Sequence, residues 1–125
     1  MPTIALSHRP PRLWTSAARF GLGLARSRRS LRRVWTATSD GRLATFIGGP
    51  GSGRPVIFLH GFCGDHTNLA PLALRVAKRR PVILFDARGH GESPEFSGVP
   101  QMSQLARDLL AVVQQWGSNG ADAVG

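Results

Sequence analysis

The sequence predicts an α/β fold in which an antiparallel hairpin leads into a parallel βαβαβ unit. Two short apolar runs, Pro55-Val56-Ile57-Phe58-Leu59 and Pro81-Val82-Ile83-Leu84-Phe85, are rich in β-branched and aromatic residues. Each ends in a polar residue followed by a glycine turn, the pattern of strands buried on both faces of a parallel sheet. Between them, Leu69 to Lys78 places apolar residues at helical spacing. Strand, helix and strand in that order make a βαβ unit.

The elements follow along the chain. Residues 1–34 form a leader that is rich in arginine and serine and free of acid. On a helical wheel Leu13, Ala17, Phe20, Leu24 and Leu31 share one side, and Arg12, Arg19, Arg26 and Arg33 drift around the other. Three readings stand: an amphipathic basic helix on an anionic membrane surface, an organelle transit peptide, or a loosely ordered leader. Gly21 and Gly23, each weakening a helix by ~1 kcal/mol, favour the last.

Residues 35–125 form the folded part. Trp35–Thr38 and Leu43–Ile47 flank Ser39-Asp40-Gly41-Arg42, a hairpin turn signal. Gly48 to Pro55 is a loop whose Gly48-x-x-x-x-Gly53 spacing begins a phosphate-binding loop. Arg54-Pro55 stands where Lys-Ser/Thr is required, and the strand follows the loop instead of preceding it, so that reading fails. The helix through Leu69, Leu72, Val76 and Ala77 can be capped by Asp65 or Thr67, with Pro71 confining its regular part to the first turn onward. Lys78-Arg79-Arg80 closes it with positive charge. Ser103 caps a second helix burying Leu105, Leu109, Val112, Val113 and Trp116, and Ala121–Gly125 begins another strand.

His60-Gly61-Phe62 after the first parallel strand, and Asp86-x-Arg88-Gly89-His90-Gly91-x-Ser93 after the second, resemble the paired turns of the α/β-hydrolase family. The resemblance runs from about Trp35 to Gly125 and implies the N-terminal half of that fold. It implies an esterase, lactonase or epoxide-hydrolase type of enzyme that cleaves an ester or related bond with a nucleophile, a histidine and an acid. It further implies that the Phe62 backbone N–H donates to the oxyanion, with the Phe62 side chain lining the pocket. His60, Gly61, Cys63, Asp86, Arg88, Gly89, His90, Gly91 and Ser93 become turn and pocket scaffold, with Asp86 and Arg88 fixing the turn together.

The family carries its nucleophile in G-x-S-x-G after the next strand, and Gly125 resembles that first glycine. The nucleophile is then expected two residues past Gly125, so that this chain is a truncated form, inactive by itself. Ser93, in Gly91-Glu92-Ser93-Pro94, lacks the second glycine of an elbow. Cys63 at a helix start is a nucleophile only if its thiolate is stabilised, and a small buried or partly exposed thiol is the commoner outcome. His8 and His66 have no evident partner.

Composition bounds the remaining classes. Of the +9 formal charge, residues 1–39 hold eight arginines and no acid, and the rest is near neutral with eight Lys/Arg against seven Asp/Glu. Aromatic residues do not interleave with the basic ones, so no nucleic-acid surface is expected. One cysteine allows no internal disulfide and no cysteine cluster for zinc, and points to a cytoplasmic setting. No metal and no cofactor is expected. The expected partner of the full-length form is a small ester-like substrate, with a membrane surface met through residues 1–34. The alternative is a truncated, non-catalytic product that binds a partner or membrane, its last strand an unprotected edge.

Overall fold

A computed structural model of the chain describes residues 30–117 and 120–125. The leader readings for residues 1–29, including His8, lie outside the described residues. Five strands, β1 (Arg32–Thr38), β2 (Gly41–Gly48), β3 (Val56–Leu59), β4 (Val82–Phe85) and β5 (Asp122–Val124), and two helices, α1 (His66–Val76) and α2 (Met102–Trp116), follow one another as β1-β2-β3-α1-β4-α2-β5.

The strands form one sheet in the order β1-β2-β4-β3-β5. β1 pairs antiparallel with β2, and β2 antiparallel with β4. β4–β3 and β3–β5 are parallel, with Val56 opposite Val82 and Ile57 opposite Ala123. One helix, α1, joins β3 to its parallel neighbour β4, and α2 carries the chain from β4 past β3 to β5, since parallel strands cannot be connected by a tight turn.

Alternation within the apolar runs explains why they are continuous. Val56, Phe58, Val82 and Leu84 pack with Ala44, Phe46, Ala73 and Ala77 on the α1 face. Ile57, Ile83 and Phe85 pack with Leu43, Ile47 and Val112 on the α2 face. A strand buried on both faces has no solvent side, so every position is apolar.

Local sequence signals locate most boundaries, with several corrections. β1 begins at Arg32, three residues before the expected strand, because Arg32–Val34 continue the ladder opposite Ile47, Phe46 and Thr45. Arg32 and Arg33 therefore lie on a strand and not on a basic helix. α1 runs unbroken through Pro71, which stands sixth in it. Leu72 is half exposed, whereas Ala73 and Ala77 are buried against the sheet. The small side chains let helix and sheet approach closely. The Lys78-Arg79-Arg80 triplet lies past the Ala77 C-cap, and Arg80 turns back to the Arg54 carbonyl oxygen and Asp122. Ser103 is the second residue of α2, not its cap. Gln101 occupies the cap without a side-chain bond to the helix backbone.

Candidate functional site

At the carboxyl end of β3 the chain leaves the sheet as Leu59-His60-Gly61-Phe62-Cys63-Gly64. The Gly64 N–H donates to the Gly61 carbonyl oxygen at 3.0 Å, closing a β-turn with Phe62 and Cys63 in the middle. Cys63 has φ +59 and is the one non-glycine residue with positive φ among the described residues. Positive φ at the third turn position alone is the type II signature, a place where glycine is usual. Gly64 then packs so tightly that an added Cβ would lie 2.9 Å from Asn68 Oδ1. Asp65 follows as the N-cap of α1. Its carboxylate accepts from the Thr67 N–H, and Asn68 Oδ1 accepts from the Asp65 N–H, a reciprocal capping box. The Thr67 hydroxyl, then the Thr67 N–H, hold the Asp65 carboxyl below its ordinary value of 3.8.

At the carboxyl end of β4, Asp86 is fully buried. Its Oδ1 accepts from the His66 N–H at 2.7 Å, and its Oδ2 from the Glu92 N–H at 2.9 Å. The His66 ring Nδ1 lies 2.9 and 3.0 Å from the two carboxylate oxygens. Asp86 thereby fixes both the start of α1 and the glycine-rich loop. Gly91, φ +50, passes so close that a Cβ there would lie 2.2 Å from Asp86 Oδ2. The Gly89 N–H donates to the Pro94 carbonyl oxygen, and the Ser93 hydroxyl donates to the Asp86 carbonyl while accepting from the Ala44 N–H. Ser93 is buried between β2 and β4 and is held as a brace.

Asp86 and Arg88 do not form the expected pair. Arg88 instead meets Asp108 of α2 in a fork, Nε to Oδ2 at 2.7 Å and Nη2 to Oδ1 at 3.0 Å. It also donates to the Asp40 carbonyl and the Thr38 hydroxyl at the tip of the β1–β2 hairpin. Both ends of the ion pair are buried. Asp108 was legible only as part of the α2 face: Leu105, Asp108, Leu109 and Val112 follow the spacing of a core stripe. A carboxylate on such a stripe implies a buried cation, which Arg88 supplies.

The two corners meet at the carboxyl ends of β3 and β4. His60 Nε2 accepts from the Ala87 N–H at 2.9 Å, so His60 Nδ1 is the protonated nitrogen and donates to the Gly61 carbonyl oxygen at 2.9 Å. His90 Nδ1 donates to the Arg88 carbonyl oxygen at 2.9 Å. The His60 and His90 rings stand 5.1 Å apart between centroids, and the Phe62 ring lies edge-on to His90 at 6.3 Å. Thus His60, Gly61, Phe62, Gly89, His90 and Gly91 are brought together, whereas Ser93 and Arg88 face the hairpin side.

Two expected placements fail. The Phe62 side chain lines no enclosed pocket: it is 94% exposed, the turn directing it outward. Cys63 stands in the turn as expected, but it is exposed and precedes the α1 cap by two residues, so it is not a helix-start residue and is neither a buried nor a partly exposed thiol. His66, for which the sequence offered no partner, has the most buried one available in Asp86. The signal for it was its position directly after a capping aspartate, at the start of α1, where its ring stacks on Phe46 of β2.

The comparisons with known proteins agree with this architecture. A family model described as the alpha/beta hydrolase fold matches residues 54–125. The chain is 36% identical over 69 residues to the sn-1-specific diacylglycerol lipase ABHD11 of Danio rerio, covering 54% of this chain and 22% of that protein. A crystal structure of an alpha/beta hydrolase from Novosphingobium aromaticivorans superimposes with a TM-score of 0.64 at 29% identity, covering 69% of this chain and 32% of that one. The Cif epoxide hydrolase from Acinetobacter nosocomialis shares the fold at 19% identity and a TM-score of 0.66, over 96% of this chain and 38% of its own. The chain spans less than two fifths of the length of each of these relatives. With that family's model covering more than half of its residues, the chain belongs to the α/β-hydrolase family.

Proposed function

We propose that this chain supplies the oxyanion side of a site that cleaves ester or related bonds. The nucleophile, acid and histidine of that site come from residues outside these 125. The reading rests on one observation: His60 ties the β3 corner to the β4 corner through the Ala87 N–H. The Phe62 N–H then sits on a pinned turn at the carboxyl end of β3, and no acceptor among the described residues engages it. A preorganised donor of that kind stabilises the charge that develops on a carbonyl oxygen under attack. Gly125 adds support. A Cβ there would lie 3.1 Å from Leu59 Cβ and 3.3 Å from the Leu59 carbonyl oxygen. A glycine at that position, just after β5, matches the first residue of the G-x-S-x-G turn.

The 125-residue chain is then expected to hydrolyse p-nitrophenyl butyrate no faster than buffer does. Turnover that Cys63→Ser abolishes would contradict the proposal, because a nucleophile would then lie within the chain. In a form extended by the downstream coding sequence, Phe62→Pro tests the donor. Proline suits the second position of a type II turn, so the turn survives while the N–H is removed. The expected loss is about 100- to 1000-fold in kcat with KM little changed; an unchanged kcat would remove Phe62 from the site.

A further inference from the structure

On the far side of β4 from the Phe62 turn lies an open surface groove. Leu31, Phe46, Ala70 and Leu74 make its apolar walls, and His66 stands among them. The His66 ring is fixed twice: Asp86 holds Nδ1, and Phe46 stacks on its face with centroids 3.5 Å apart and planes 15° from parallel. Nε2 bonds no described residue, yet it is not among the buried side-chain atoms lacking a partner. With the side chain 17% exposed, that nitrogen opens into the groove. At the rim Arg33 and Glu92 bind each other, so the two charges facing the groove cancel.

We infer that this groove is a binding site for a neutral aliphatic alcohol, its hydroxyl on His66 Nε2 and its chain along Leu31, Phe46, Ala70 and Leu74. A hydroxyl donates to the bare ring nitrogen and accepts from a protonated one, so it fits His66 in either state. The cancelled rim charge leaves nothing to select a carboxylate or an amine. The Asp86–His66 pair supplies orientation, which lets one hydrogen bond add to apolar burial without the cost of ordering the ring. This site is separate from the acyl-cleaving reading and stands or falls without it.

The test is a titration of the isotope-labelled 125-residue chain with 1-hexanol, followed by the ring nitrogens of His66 and the amides of Thr67, Ala70 and Leu74. Saturable shifts confined to those groups are expected, with hexanoate binding at least tenfold more weakly. His66→Phe keeps the stacking on Phe46 and removes the acceptor, and is expected to weaken hexanol by about fivefold to tenfold, the worth of one hydrogen bond. Since that variant also strips a partner from buried Asp86, Leu74→Lys provides an independent arm that leaves the pair intact and places a charge in the groove. It is expected to abolish saturation. Shifts that stay linear, that spread over the whole surface, or that neither variant changes would overturn the assignment, as would hexanoate binding as tightly as hexanol.

Discussion

Single residues decide the shape of the two corners. Cys63 holds a left-handed conformation that an L side chain pays about 1–2 kcal/mol to adopt. Cys63→Gly relieves that strain but frees the unfolded chain at a cost of about 0.5–1 kcal/mol. The expected outcome in urea unfolding is a net gain of about 0.5 kcal/mol; a loss would mean that the thiol makes a stabilising contact. Gly91 lies at the opposite extreme. Alanine there meets the Asp86 carboxylate, and the backbone alone costs about 1–3 kcal/mol, so Gly91→Ala is expected to lower the midpoint sharply. At this scale the glycines and the capping aspartate were legible in the sequence, because turns and caps are local. The His66–Asp86 and Arg88–Asp108 pairs were not. Their partners lie 20 residues away in sequence and meet only when a helix docks.

Among the elements, α2 is bound to the sheet by polar as well as apolar contacts. Arg88 links β4, the hairpin tip and Asp108 in one buried cluster. The Trp116 indole N–H donates to the Thr36 hydroxyl at 2.8 Å. The Gln115 side-chain amide pairs with both the N–H and the carbonyl of Ala37, covering part of the β1 edge. Arg88→Met leaves the Asp108 charge buried and unpaired, which is expected to cost about 3–5 kcal/mol. The double variant Arg88→Met, Asp108→Leu is expected to recover most of that loss, as buried pairs replaced by packed apolar groups often do. Equal stability of the single and double variants in chemical denaturation would show that the pair is solvated. The periodicity of α2 and both parallel strands could be read from the sequence, since apolar spacing reports which face is buried. Strand order could not be read from spacing. The structure places β4 between β2 and β3.

Across the whole molecule, β5 is the strand most dependent on charge. Asp122 accepts from Arg54 Nε and Arg80 Nη2, joining β5 to the loop before β3 and the loop before β4. The Arg80 hydrogen bond is the main cause that holds its carboxyl below the ordinary 3.8. A lowered folded-state value means that the contribution is fully present above 3.8 and is lost as pH falls through the folded value. Amide exchange of Ala123 and Val124 is therefore expected to quicken relative to Ile57 and Ile83 as pH drops below 3.8, and Asp122→Asn to remove that difference. Exchange that keeps the same ratio down to the acid unfolding transition would free β5 from this control.

The proposed site depends most on the β3 and β4 corners meeting at the carboxyl end of the sheet, pinned by His60. Nuclear Overhauser contacts in the labelled chain test this directly. The prediction is cross-peaks from the His90 ring to the rings of both His60 and Phe62, with interstrand contacts between Val56–Leu59 and Val82–Phe85 in a parallel pattern. An antiparallel pattern between those strands, or His90 contacts to neither ring, would contradict it.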